Sequence, residues 1–164
     1  MKKKYQLQKN TCLIILLTIC VNAKANIYSV TSAADSGPGT LRDAIFSINI
    51  SPLTSTADPY IIDLGPIDGS LITIASDLPE IKNFVRIIAT TNVTISCQSL
   101  YMAFLTRNPD ISVWFKNLTV AKAKNAFTNM GSSIFLDHCF VNGCNAPDAA
   151  PNGGGMFNNG YAEL

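Results

Sequence analysis

The chain has 164 residues, of which 48% are hydrophobic and 14% charged, and this length suits a single modest domain. Its formal net charge of +1 is misleading, because residues 26–164 carry seven basic and 11 acidic residues, a net charge of −4. The few cations after residue 25 are not clustered into a basic stripe that could neutralise phosphates, which excludes a nucleic-acid-binding function.

The first 25 residues have the pattern of a secretory signal peptide. Residues 1–9 carry four lysines and no acid, residues 11–21 form a largely apolar run, and Ala23-Lys24-Ala25 follows. This order predicts export and cleavage after Ala25. An uncleaved membrane anchor is the alternative, but the run is shorter than the about 20 residues of an ordinary spanning helix.

Residues 26–59 are predicted to form an N-terminal cap with a short helix near residues 40–49. A turn cluster at residues 35–39 precedes Thr40, whose side chain is expected to accept from the backbone N–H of Asp43. The Asp43 carboxylate is expected to hydrogen-bond back to Thr40 and to face the positive end of the helix dipole. The apolar residues predicted on one face are Leu41, Ala44, Ile45 and Ile48.

Residues 60–164 read as short β-prone runs separated by turn formers. These runs are predicted strands, with no helix of ordinary length between them. They cover residues 61–64, 71–74, 85–88, 93–97, 101–105, 111–120 and 133–141, with a last run beginning near Met156.

The runs are compatible with a sandwich, a barrel or a parallel β-helix, and two features favour the β-helix. Apolar and polar residues alternate, as in Val93-Thr94-Ile95-Ser96, which suits strands with one face on an interior ladder. A β-prone phrase followed by Asn or Gly recurs at residues 117–121, 140–143 and 157–160, at roughly one coil of a solenoid. An antiparallel sandwich with a coincidental rhythm is the alternative.

Three cysteines remain after residue 25. The interval from Cys139 to Cys144 is the most plausible for a disulfide, which would leave Cys97 as a free thiol. The alternative is that all three are small buried hydrophobic side chains. No CxxC spacing is present and His138 is the single histidine, so the sequence predicts no metal site and no cofactor.

Catalysis on a β-helix would need carboxylates that converge on one strand face. The candidates are Asp63, Asp77, Asp110 and Asp137, with His138 next to the last. Because Asp137 and His138 are adjacent in a predicted strand, they are expected to point to opposite faces. We therefore assign no catalytic residue from the sequence.

Four aromatic residues could form a sugar-stacking platform. Aromatic side chains at strand spacing more often fill a core or stack between coils, and we expect this of the four residues here. They are Tyr101, Phe104, Trp114 and Phe115.

The phrase DSGPGTLRDAI at residues 35–45, with the later strands and residues 153–160, resembles the opening of secreted bacterial right-handed β-helix proteins. These are autotransporter-like and polymorphic-outer-membrane-protein-like surface proteins. The resemblance implies an N-terminal cap over parallel coils, and a GG(A/G)-type match is loose at residues 153–156. Phe140-Val141-Asn142-Gly143 departs from the FxxN type because Asn falls one place early.

The sequence thus predicts an all-β fold: a right-handed parallel β-helix of about five coils, incomplete at its end, with a short N-terminal capping helix. The predicted function is a non-enzymatic, adhesin-like or passenger-like scaffold, and the alternative is a fragment of a carbohydrate-active enzyme. The expected partners are other proteins or surface glycans, and the open last coil is expected to allow self-association. The predicted location is periplasmic, cell-surface or extracellular, without a membrane span in the mature chain. We interpret the chain as a truncated remnant of a longer protein, and the alternative is that another chain completes its stack of coils.

Overall fold

A computed structural model describes residues 26–145 and 154–164. The fold is mostly β with one short α-helix, α1 (Leu41–Asn49). The signal-peptide prediction at residues 1–25 and part of the glycine-rich match at residues 153–156 lie outside the described residues. The strands are β1 (Ile27–Ser29), β2 (Tyr60–Asp63), β3 (Leu71–Thr73), β4 (Val85–Ser96), β5 (Phe104–Thr106), β6 (Ser112–Ala121), β7 (Phe127–Asn129), β8 (Ser133–Asp137), β9 (Phe140–Asn142), β10 (Met156–Asn158) and β11 (Tyr161–Glu163).

All pairs between these strands are parallel, and they build a β-solenoid of about four turns. Tyr60 pairs with Val85, and Val85 pairs with Val113 one turn later. Ser112 pairs with Ser133, and Ser133 pairs with Tyr161. The prediction of a parallel β-helix is confirmed, and the antiparallel sandwich is wrong for the part of the chain that is described.

The strands of the successive turns lie on three faces. The first face contains β1, β2, the first half of β4, the first half of β6, β8 and β11. The second face contains β3, the second halves of β4 and β6, and β9. The third face contains β5, β7 and β10. The chain bends from the first face to the second where the β4–β6 register shifts, between Ile88 and Val93.

The core consists of side chains that stack inside successive turns. Along β4 and β6 the residues alternate between buried and more exposed, so every second side chain enters the interior. Phe115 packs between two other buried aromatic rings, with centroids 4.5 Å from Phe104 and 5.0 Å from Phe127. The turns therefore shield one another's apolar faces, as a solenoid requires.

Helix α1 begins as predicted. Thr40 Oγ1 accepts from the backbone N–H of Asp43 at 3.2 Å, and Leu41, Ala44, Ile45 and Ile48 are buried. The predicted hydrogen bond from the Asp43 carboxylate back to Thr40 is wrong. The carboxylate instead accepts from the backbone N–H of Gly39 at 3.0 Å. Gly39 adopts a φ of +73°, and this left-handed turn aims its N–H at the helix start.

The helix is fastened to the first turn of the solenoid. Arg42 donates to the backbone carbonyls of Asp77 at 2.6 Å and Ser76 at 2.9 Å, and it pairs with Asp35 at 2.6 Å. Buried Asn83 donates to the carbonyl of Ile48 at 3.2 Å. These bonds join the helix to the segment that leads from β3 to β4.

Several predicted strand boundaries are wrong. The runs at 85–88 and 93–97 form one continuous strand, β4, whereas the run at 133–141 is divided into β8 and β9 because His138 has a φ of +52°. The run at 101–105 becomes β5, displaced toward its end, and β1, β7 and β11 were not predicted.

The recurring phrase does not mark equivalent positions throughout. Residues 119–121 pair with β9 on the second face, as the phrase suggests. The third copy instead contributes β10 to the third face, where Phe157 pairs with Thr128. Two of the three copies therefore stack directly.

Candidate functional site

A groove of about 690 Å³ lies on the outside of the first face. Side chains from β4, β6, β8 and β11 line it, so four successive turns contribute to one surface. They include Arg86, Trp114, Lys116, Phe135, Asp137, His138 and Glu163.

Aromatic rings on this face stack from one turn to the next. The Trp114 and Phe135 rings are 5.1 Å apart with an interplanar angle of 10°, and the Phe135 and Tyr161 centroids are 5.8 Å apart. The Arg86 guanidinium lies over the Trp114 ring at 5.2 Å from its centroid, a cation–π contact. The guanidinium and the Phe135 ring thus both lie against the Trp114 ring.

The packing of these rings does not favour a sugar-stacking platform. A sugar stacks on an open ring face, and the Trp114 and Phe135 faces are engaged by neighbouring side chains. Phe104 and Phe115 are buried in the core, and half-buried Tyr101 packs against it. The prediction that these aromatic side chains fill the core or stack between coils is confirmed.

A chain of polar contacts crosses the groove beside the rings. Lys116 Nζ lies 2.6 Å from Asp137 Oδ2, and both side chains are half exposed. The other carboxylate oxygen, Oδ1, contacts Nδ1 of His138. These hydrogen bonds, first with Lys116 and then with His138, hold the pKa of Asp137 below its usual value.

The expected separation of Asp137 and His138 is wrong. Strand β8 ends at Asp137, and His138 turns into the left-handed region with a φ of +52°. The two side chains therefore meet and share one groove, because the strict two-residue alternation of a strand does not extend past Asp137.

The other candidate aspartates lie elsewhere. The Asp63 carboxylate accepts from the N–H of Gly65 at 2.8 Å, and that of Asp77 accepts from the N–H of Met102 at 2.7 Å. Asp110 lies in a turn where its backbone N–H donates to the side chain of Asn108. Of the four candidates, Asp137 is the one that lines the groove.

The three cysteines within the described residues, Cys97, Cys139 and Cys144, are free thiols, so the predicted Cys139–Cys144 disulfide is absent. Cys97 is fully buried, and burial raises the pKa of its thiol to about 12. Cys139 and Cys144 are partly exposed, and Cys144 Sγ accepts from the backbone N–H of Ala123 at 3.2 Å. The alternative interpretation fits Cys97, whereas Cys144 bonds to the neighbouring turn.

Residues 26–145 and 154–164 contain neither a metal-type cluster of side chains nor a membrane-spanning helix. In this part of the chain, His, Cys, Asp and Glu side chains form no group of three that could hold a metal ion. Helix α1, with nine residues, is too short to cross a membrane, and no other described segment forms a membrane-spanning helix.

Sequence reasoning missed three contributors to this face: Arg86, Phe135 and Glu163. Each occupies an outward position of a strand, but the sequence does not indicate which strands are neighbours or in what register they pair. The register aligns Arg86 with Trp114, Trp114 with Phe135, and Phe135 with Glu163. Comparisons with protein-family models, curated proteins and solved structures found no match for this chain.

Proposed function

We propose that this chain is an exported, non-enzymatic β-solenoid scaffold whose first face is a contact surface for protein. One observation carries the proposal: the groove combines half-buried stacked rings with flanking charges, and its single candidate catalytic aspartate is already paired with Lys116. Aromatic and arginine side chains are enriched in protein interfaces, which suits this composition.

The charge distribution supports contact with protein more than contact with glycan. Cationic groups lie on β4 and β6, whereas the carboxylates of Asp137 and Glu163 lie on β8 and β11. Opposite charges at fixed positions favour a partner with the complementary pattern and suppress others. Glycan recognition by stacking has less support, because neighbouring side chains cover the Trp114 ring.

The basic and apolar N-terminal run supports export, and we propose processing after Ala25 to a chain that begins at Asn26. The proposed winding of the solenoid is right-handed, the sense that parallel β crossovers follow almost without exception. N-terminal mass spectrometry of the secreted or periplasmic product tests the processing. A product that retains residues 1–25 would contradict it.

Turnover assays separate this proposal from a carbohydrate-active enzyme. The protein is incubated with neutral and acidic polysaccharides, and new reducing ends and unsaturated products are measured beside an Asp137→Asn variant. We expect both proteins to match the heat-denatured control. Turnover that disappears in Asp137→Asn would contradict the proposal, since it would assign chemistry to the groove.

A further inference from the structure

Four outward side chains form a charged and aromatic row across the first face: Arg86, Trp114, Phe135 and Glu163. The row follows the strand register, so neighbours in the row belong to neighbouring turns. Along the solenoid axis it therefore reads cation, aromatic, aromatic, anion. Its midpoint lies between β6 and β8.

The outer members of the row have no ionic partner among the described residues. The salt bridges of this part of the chain involve neither Arg86 nor Glu163. Arg86 lies over Trp114, and Glu163 accepts a hydrogen bond from the Tyr161 hydroxyl at 3.1 Å. Each group is exposed and available to an opposite charge on another molecule.

The centre of the same face carries a second charge pair with the same polarity. Lys116 on β6 and Asp137 on β8 are register partners, and both side chains are half exposed. The midpoint of this pair also lies between β6 and β8. Both sets of side chains are therefore self-complementary about a single line that runs parallel to the strands.

We propose that the occupant of this face is a second copy of the chain, bound face to face with its solenoid axis reversed. A two-fold axis parallel to the strands, between β6 and β8, brings Arg86 opposite Glu163 of the other copy. The same axis brings Trp114 opposite Phe135, and Lys116 opposite Asp137. A two-fold axis along the solenoid would instead hold each charge level with its own like charge.

The area of the face sets the strength of association. The axis between β6 and β8 places four strands opposite one another, β4, β6, β8 and β11, and at a spacing of about 4.8 Å with about five residues each at about 3.3 Å they cover roughly 300 Å² per copy. A standard interface buries about 800 Å² per partner. We therefore expect a weak dimer, with a dissociation constant of about 100 μM to 1 mM, that weakens as salt screens the ion pairs.

Charge-reversal variants test this arrangement. Sedimentation equilibrium measures their dissociation constants over about 10 μM to 1 mM of the processed chain. Wild type is expected to dimerise. Arg86→Glu alone and Glu163→Arg alone each place like charges opposite each other, so each variant is expected to be at least tenfold weaker. An equimolar mixture of the two single variants is expected to form the heterodimer, and the double variant is expected to recover the homodimer.

Lys82→Glu is the matched control, because it reverses an exposed charge that does not line the groove, and it is expected to dimerise like wild type. Circular dichroism checks that each variant folds. If Arg86→Glu does not fold, Glu163→Arg, at an exposed position, still tests the effect of like charges across the interface. A wild type that stays monomeric at 1 mM would overturn the inference. So would a dimer that ignores both charge reversals.

The inference rests on the proposed function, because it names the partner of the proposed contact surface. The two fail differently. A monomeric wild type without polysaccharide turnover removes the second copy as partner and leaves the non-enzymatic scaffold proposal in place. Turnover that depends on Asp137 removes the scaffold proposal whatever the state of association.

Discussion

Asn129 joins three successive turns through one buried amide group. Its Nδ2 lies 2.7 Å from Asn158 Oδ1, 2.8 Å from the carbonyl oxygen of Ser132 and 3.1 Å from that of Tyr161, so its two hydrogens are shared among three acceptors. Its Oδ1 accepts from the hydroxyl of Thr106 at 3.2 Å in the preceding turn. Because the side chain is fully buried, water cannot replace these partners.

Asn129→Ala is expected to lower the free energy of unfolding by about 1–3 kcal/mol, since it leaves buried donors and acceptors unpaired. Urea denaturation followed by circular dichroism measures the change. Asn159→Ala is the control, because Asn159 is exposed, and it should stay within about 0.5 kcal/mol of wild type. Equal effects of the two substitutions would contradict the role given to Asn129.

Cys97 should resist alkylation in the folded protein. A rise in its pKa from 9.0 to about 12 lowers the thiolate fraction at pH 8 by roughly a thousandfold, and burial also blocks access. Timed iodoacetamide labelling with peptide mass spectrometry is expected to show Cys144 modified well before Cys97, and all three cysteines modified in urea. A disulfide between Cys139 and Cys144 would contradict the free-thiol state.

Among the elements, the capping helix was the most predictable from the sequence. Its start depends on contacts within five residues, as in the bonds that join Thr40 to Asp43 and Asp43 to Gly39. Strand β7 could not be predicted, because Phe127–Asn129 is only three residues long and is defined by pairing with β5 and β10. Local signals give local structure, whereas short strands depend on distant partners.

The candidate site escaped prediction for the same reason. Trp114 and Phe135 are 21 positions apart and stack, while the next step along the first face, from Phe135 to Glu163, takes 28 positions. With coils of unequal length, periodicity alone could not supply the register. The outward alternation was readable from the sequence, but the neighbours of each outward side chain were not.

Thr40→Ala is expected to destabilise the cap by about 1 kcal/mol, because it removes the acceptor for the N–H of Asp43. The loss of the hydroxyl also removes the donor to the Gly37 carbonyl at 2.8 Å. Thr40→Ser keeps both bonds and should retain most of the stability. Urea midpoints for the two variants provide the comparison, and a Thr40→Ser protein as unstable as Thr40→Ala would argue against capping.

The complete fold depends on parallel stacking of turns, from which the core and the charged row both follow. In the parallel register Ser112 lies beside Ser133, and Lys116 lies beside Asp137. An antiparallel hairpin of the same two strands would instead bring Ser112 beside Asp137 and Lys116 beside Ser133. In the parallel arrangement these crossed pairs are about 14 Å apart, well beyond the about 7 Å limit for a disulfide.

Cysteine crosslinking between β6 and β8 therefore tests the parallel solenoid most directly, in a background where Cys97, Cys139 and Cys144 are replaced by alanine. We expect disulfides to form in Ser112→Cys/Ser133→Cys and in Lys116→Cys/Asp137→Cys, detected by the loss of two mass units under mild oxidation. The crossed pairs Ser112→Cys/Asp137→Cys and Lys116→Cys/Ser133→Cys should stay reduced. Efficient oxidation of the crossed pairs, with reduced in-register pairs, would contradict the fold on which the contact surface depends.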